Sequence, residues 1–231
     1  MTWRWVLASK TSEALRQALD RPQWFAPMVS TCLDETRMKG RVHAYTRRAT
    51  GVTTQTSENN PIRVSRIDDP FNGRLGLTFL PGKKADGRFG RHDRTLATDA
   101  QALRDECGID LLVLLVEDHE LARFGVPDIQ QVMAGVGIDV HRLPMPDGGV
   151  PADVDQAREL VRTILDRLAA GDDVAVACLG GLGRTGTIAA CTLIGAGIGP
   201  REAIDAVRTA RHGTIETNEQ ERFVSSFALD L

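Results

Sequence analysis

No tyrosine or tryptophan follows Tyr45 in this chain of 231 residues, no Cys-x-x-Cys pair occurs, and neither sign of charge gathers into a long tract. Each absence excludes a class. The four cysteines, Cys32, Cys107, Cys178 and Cys191, lack the spacing of a structural zinc site or of a disulfide framework, which implies a reducing compartment and no metal. A net charge of −3 with both signs interspersed marks neither a nucleic-acid-binding tract nor an acidic tail. The longest purely aliphatic run, Leu111 to Val116, is far shorter than the ~20 residues of a bilayer-spanning helix, so no membrane segment is predicted. Met1 to Ala8 has neither the apolar core nor the small-residue cleavage site of a secretory leader. These readings predict a cytoplasmic protein with no cofactor.

What is present divides unevenly along the chain. Residues 1–54 hold all three tryptophans, the single tyrosine, and nine basic against four acidic side chains, a net +5 followed by a net-negative remainder. Gly51 to Pro61, rich in threonine, serine and asparagine, reads as a linker. We therefore predict an N-terminal extension over 1–54, loosely ordered or docked, and one domain over 55–231.

From Ile62 onward strand and helix patterns alternate. Ile62 to Ile67, Leu75 to Leu80, Leu111 to Val116, Asp139 to Leu143 and Val174 to Ala177 read as strands. Helical spacing covers Leu96 to Cys107, Pro127 to about Gly135, Ala152 to Ala170, Thr185 to about Ala196, Pro200 to about Arg211 and Thr217 to about Leu229. The order predicts an α/β fold with a central, mostly parallel sheet covered by helices on both faces and ligands at the strands' carboxyl ends. Glu117, Asp118 and His119 follow a strand end and read as a solvated turn, the alternative being that they line the mouth of a site. Asp99, Arg104 and His92 join no recognisable constellation.

One stretch carries chemistry: the strand Val174-Ala175-Val176-Ala177, then Cys178-Leu179-Gly180-Gly181-Leu182-Gly183-Arg184-Thr185-Gly186-Thr187, then a helix. Successive amides of such a loop converge on an anion, the helix N-terminus adds positive potential, and Arg184 offers a two-pronged guanidinium. Cys178 would sit beneath that anion, in a field that favours thiolate over thiol, as a nucleophile aimed at phosphorus. Gly181-Leu182-Gly183-Arg184-Thr185-Gly186 also satisfies the dinucleotide pattern G-x-G-x-x-G, but a second strand ending in an acid some 20 residues on is missing, because Asp205 lies within a helical pattern. A nucleoside-triphosphate loop fails for want of a lysine before Thr185 or Thr187.

Cys178-x5-Arg184-Thr185 resembles the signature of the cysteine-dependent protein tyrosine and dual-specificity phosphatases. Leu75-Gly76-Leu77 with Leu80-Pro81-Gly82, Gly125-Val126-Pro127, Pro146-Asp147-Gly148-Gly149, Gly180-Gly181-Leu182-Gly183-Arg184, and Ile215-x-Thr217 with Gln220 extend the likeness to the kinase-associated phosphatase branch, over roughly Pro61 to Leu231. The resemblance implies a metal-independent phosphoprotein phosphatase. In it Cys178 attacks phosphorus, Arg184 and the amides from Leu179 through Gly180, Gly181, Leu182 and Gly183 bind the phosphate, and Thr185 donates to the sulfur. Asp147 serves as acid and then base, and Gln220 positions the water. Pro146 to Gly149 is also a turn sequence in its own right, and Thr217-x-x-Gln220 also reads as a capping box.

The chain departs from the family at Ala177, where a histidine that orients the loop usually precedes the cysteine. Phosphotyrosine and phosphoserine or phosphothreonine both stay open as substrates, since the region after residue 54 has no tyrosine or tryptophan to wall a deep cleft. A phosphopeptide or phosphoprotein is the implied partner. The alternatives are a phosphate-recognising module without turnover and, further off, a nucleotide-binding oxidoreductase.

Overall fold

Fourteen elements can be traced in the computed structural model, which describes residues 54–67, 71–87 and 90–228; the anticipated N-terminal extension lies, except for Thr54, outside them. Strands β1 (Ser65–Arg66), β2 (Leu75–Phe79), β5 (Leu111–Leu114), β6 (Asp139–Arg142) and β7 (Val174–Cys178) form one sheet in the order β1-β2-β7-β5-β6. Its last four strands run parallel, and β1 pairs antiparallel with β2 at the edge. Helices α1 (Leu96–Asp105), α2 (Asp118–Arg123), α3 (Ile129–Gly135), α4 (Val154–Ala170), α5 (Gly183–Gly195), α6 (Pro200–Ala210) and α7 (Asn218–Ser226) account for the rest, with a separate hairpin of β3 (Lys84–Gly87) and β4 (Gly90–Asp93).

Strand periodicity divides the core into two layers. Along β5, Leu111 and Val113 point toward α4 to α7 and pack with Leu160, Ile164, Ile188 and Val207. Leu112 and Leu114 point the other way, onto Leu103, Leu121, Ile129 and Met133 of α1 to α3. A parallel sheet covered on both faces needs continuous apolar strands, and Leu111 to Leu114 and Val174 to Cys178 are buried throughout. Ala177 belongs to the α1–α3 layer, wholly within apolar surroundings.

Several expectations are corrected. The strand read over Ile62 to Ile67 shrinks to Ser65–Arg66, because Ile62 turns into the core instead of pairing. Glu117 to His119 do not form a solvated turn: Glu117 caps α2 and the helix begins at Asp118, which pairs with Arg142. Asp99 does have a constellation. Its carboxylate takes two bonds from Arg94, both at 2.7 Å, and one from the Gly82 amide at 2.8 Å, in a fully buried cluster that ties β4 and α1 to the turn after β2. The part of the supposed linker within the described residues is docked: Gln55 exchanges backbone bonds with Arg91 and Asp93, and Ser57 is buried against Thr95. The β3–β4 hairpin has no apolar alternation that would have announced it.

Truncating Leu112, buried between β5 and α1–α3, leaves a cavity, so Leu112→Ala is predicted to cost about 2–5 kcal/mol in urea unfolding. Val154→Ala, at an exposed position, should stay within about 0.5 kcal/mol of the parent.

Candidate active site

Four parallel strands end at one edge of the sheet, and the segments that leave them carry the polar groups the sequence put far apart. After β2 comes Lys83, after β5 Glu120, after β6 Asp147, and at the end of β7 Cys178 with its loop. Cys178 is buried opposite Phe79 in the register of β2 and β7. Beyond it the chain turns directly into α5, which starts at Gly183, two residues before the predicted helix start. Gly181 makes the turn possible: its φ is +70°, and a Cβ there would lie 2.4 Å from the Thr78 carbonyl oxygen of β2.

The loop has an inner and an outer face. Four of its carbonyls are occupied: Leu179 O accepts from Lys83 Nζ at 3.1 Å and from the Leu80 amide at 3.5 Å, Gly180 O from Arg211 Nη2 at 3.1 Å, Leu182 O from the Gly186 amide at 2.8 Å, and Gly183 O from Thr187 Oγ1 at 2.9 Å. Its amides are largely not. Among the described residues those of Leu179, Gly180, Gly181, Leu182 and Arg184 find no protein acceptor, while the Gly183 amide donates to Glu216 Oε2 at 3.0 Å. A concave run of unpaired N–H groups at a helix start is an anion site by its own electrostatics.

Arg184 sits at the first turn of α5 with 1% of its side chain exposed. Its Nη1 donates to Glu120 Oε2 at 2.6 Å and to the Met145 carbonyl at 2.9 Å; its Nη2 donates to Glu120 Oε1 at 3.0 Å and Asp147 Oδ1 at 2.9 Å. The buried Nε has no acceptor among the described residues. Burial would lower the Arg184 pKa, but the bonds to Glu120 and the charges of Cys178 and Asp147 outweigh it and raise the net value. Burial likewise pushes Glu120 up, and Arg184 with the Glu117 amide pulls it below the ordinary carboxylate range. Both stay charged.

The segment Pro146 to Gly149 is held over this cluster at three points: Asp147 by Arg184, the Gly148 carbonyl by Thr217 Oγ1 at 3.2 Å, and the Gly149 carbonyl by Gln220 Nε2 at 3.1 Å. Asp147 itself remains 73% exposed, its carboxylate at the mouth. Gln220 is completely buried and accepts from the Glu216 and Thr217 amides at 2.9 and 3.3 Å, so it caps α7 and holds this segment at once. Thr185 is buried behind the loop, and its hydroxyl has no hydrogen-bond partner among the described residues.

Structure thus brings Cys178, Arg184, Asp147 and the loop from Leu179 to Gly183 together, with Thr185 and Gln220 directly behind. Sequence reasoning missed Glu120, Lys83, Arg211 and Glu216. Only Glu120 left a trace, three residues after the strand-end Glu117; the others lie 31 to 96 residues from the loop atoms they bond. No group of three or more His, Cys, Asp or Glu among the described residues is arranged to hold a metal, and no helix among them is long and apolar enough to cross a membrane.

A family profile described as Cyclin-dependent kinase inhibitor 3 (CDKN3) matches residues 53–204. Cyclin-dependent kinase inhibitor 3 of Sus scrofa is 32% identical over 178 residues, covering 74% of this chain and 80% of that protein. Its Homo sapiens counterpart is 33% identical over 156 residues, 66% of this chain and 71% of that protein. Among solved structures, kinase associated phosphatase (KAP) with serine in place of its catalytic-site cysteine superposes with a TM-score of 0.64 at 30% identity, covering 71% of this chain and 93% of that one. Tk-PTP in its active form gives 0.53 at 31% identity, over 65% and 88%.

Removing one partner of a buried ion pair leaves an uncompensated charge, so Glu120→Ala is predicted to cost about 3–5 kcal/mol in urea unfolding. The double variant Glu120→Ala/Arg184→Met, which removes both charges, should recover part of that loss.

Proposed function

The chain belongs to the Cyclin-dependent kinase inhibitor 3 family and is a protein phosphatase of the dual-specificity type; from that premise we propose that it works through a cysteinyl-phosphate formed on Cys178. The observation that carries this reading is the position of the cysteine beneath five loop amides without protein acceptors, beside the unpartnered Nε of Arg184. A phosphate monoester seated there would present three oxygens to donors already aimed inward.

In the first step the Cys178 thiolate attacks phosphorus in line, the S–P bond forms, and the P–O bond to the substrate breaks. The departing oxygen takes a proton from Asp147, whose exposed carboxyl stands at the mouth while Arg184 fixes its position. In the second step Asp147 takes a proton from water, the water oxygen bonds to phosphorus, and the thiolate leaves. Thr185 donates its unpaired hydroxyl to the sulfur as charge returns to it. Gln220, released from the Gly149 carbonyl, has an amide to offer the attacking water. Arg184 and the loop amides stabilise the equatorial oxygens through both steps, and preorganised donors of this kind are worth roughly 2.7–4 kcal/mol each. The substrate is a phosphoprotein, on phosphotyrosine, phosphoserine or phosphothreonine; the names of the relatives make a phosphorylated kinase the first to try.

Pure protein in EDTA is predicted to hydrolyse an aryl phosphate and to trap radiolabelled phosphate on acid quench; Cys178→Ser should abolish both. Tight phosphopeptide binding by the wild type with no turnover would overturn the enzyme reading in favour of a recognition module. Asp147→Asn should slow esters with poor leaving groups about 10²–10⁴-fold and those with good ones far less. Equal slowing would remove Asp147 from the acid role.

A further inference from the structure

Two cations beside the loop, Lys83 buried and Arg211 half-buried, have no carboxylate to neutralise them. Lys83, with 8% of its surface exposed, donates its Nζ to the Leu179 carbonyl and stands 4.8 Å from the ring centre of Phe79. Arg211, just past the end of α6, donates to the Gly180 carbonyl and to Ser65 Oγ at 3.4 Å, and its buried Nε has no acceptor among the described residues. No acidic side chain among the described residues lies within ion-pair distance of either. Buried lysines and arginines are otherwise found with a counter-charge. Cys178 is the neighbour whose negative charge would favour both cations.

The carbonyls they hold are consecutive, and this decides the geometry. In a planar trans peptide the C=O and the following N–H point in opposite directions. Tying Leu179 O outward to Lys83 at 3.1 Å, with the Leu80 amide a longer second donor at 3.5 Å, therefore turns the Gly180 amide inward, and tying Gly180 O outward to Arg211 turns the Gly181 amide inward. Both glycines would otherwise be free to flip. A charge-assisted bond at the carbonyl also polarises its peptide unit and makes the N–H a stronger donor. At the adjoining position, where the family usually carries a loop-orienting histidine, Ala177 is buried in apolar packing; its carbonyl is used by the Leu115 amide and its methyl side chain offers no hydrogen bond to the loop.

We infer that Lys83 and Arg211 are positioning residues that clamp the catalytic loop by its outer carbonyls and supply the ordering and positive field that a histidine at the place of Ala177 would have given. The inference rests on the phosphatase reading only for its kinetic consequences. The thiol itself reports the clamp without turnover.

Lys83 also makes the clamp pH-dependent. Burial, then opposed by Cys178 and reinforced by Arg94 and Arg211, brings its pKa down to about 8. His92 on β4, the remaining titratable neighbour, is pushed down to about 4 by burial, Lys83 and Arg94, and so stays neutral around pH 8. As pH rises through about 8, Lys83 loses its charge while Arg211 keeps its own. The field at the sulfur weakens on the alkaline side.

The experiment measures iodoacetamide alkylation of Cys178 and kcat/KM on an aryl phosphate, each from pH 5 to 10, in wild type, Lys83→Met, Lys83→Arg and Arg211→Met. Losing one charge-assisted bond corresponds to roughly ten- to a hundred-fold, so Lys83→Met and Arg211→Met should slow alkylation at pH 6 and lower kcat/KM by about that factor. Wild-type kcat/KM should fall above about pH 8, and Lys83→Arg should restore the rate and move that fall to higher pH. A Lys83→Met variant with the wild-type alkylation profile overturns the inference, as does an Arg variant that keeps the alkaline fall at the same pH. Urea midpoints identify a variant that has merely unfolded, in which case Lys83→Arg alone decides through its pH profile. If the wild type proves inert toward phosphate esters while alkylation still responds to Lys83, the phosphatase reading fails and the clamp stands.

Discussion

The guanidinium of Arg184 is the point to which three segments of this protein are tied. It reaches α2 through both oxygens of Glu120, the end of the β6 connection through the Met145 carbonyl, and the mouth of the site through Asp147. An almost completely buried charge cannot be left unpaired, so each of these partners is required by the others. Because Glu120 takes both terminal nitrogens, the guanidinium plane is fixed and Nε is left facing away from the pair. A group that must be charged for the chemistry is thereby also made necessary for the packing of the loops around it.

The loop that precedes Arg184 poses the opposite problem. Three glycines give it the freedom to close around an anion, and the same freedom would let its peptides turn outward and bond water. Its outer carbonyls are therefore engaged from separate elements: Lys83 from the β2–β3 turn, Arg211 from the end of α6, and the hydroxyl of Thr187 from α5 itself. On the other flank Glu216 and Gln220 close against Gly183, where any side chain would collide with both. The anion site is thus a set of inward amides maintained by outward bonds, two of them from cations. Asp147 is brought to the same place by a different means, the three anchors on Pro146 to Gly149, so acid and nucleophile are positioned independently.

Much of this was legible before any coordinates. The aliphatic runs of β5 and β7 announced a buried parallel sheet, and the glycine and arginine pattern after Cys178 announced an anion loop, because both depend on residues adjacent in sequence. Helix limits at Ala170 and Gly135 came from glycine stops. What failed had a common cause. Ile62 to Ile67 has strand composition, yet Ile62 is used by the core; Asp99 joins no local pattern, yet Arg94 and the turn after β2 enclose it; Glu117 to His119 look like a turn, yet Glu120 anchors them as a helix.

The sequence by itself determined which residues could do chemistry: a cysteine at a strand end, amides made available by glycine, an arginine at a helix start, an aspartate in a glycine-rich turn. Local spacing suffices for these because each depends on its immediate backbone. Only the tertiary structure decided how they are held and charged. Glu120, Lys83, Arg211 and Glu216 act on the loop through contacts of long sequence separation, which a one-dimensional pattern does not contain.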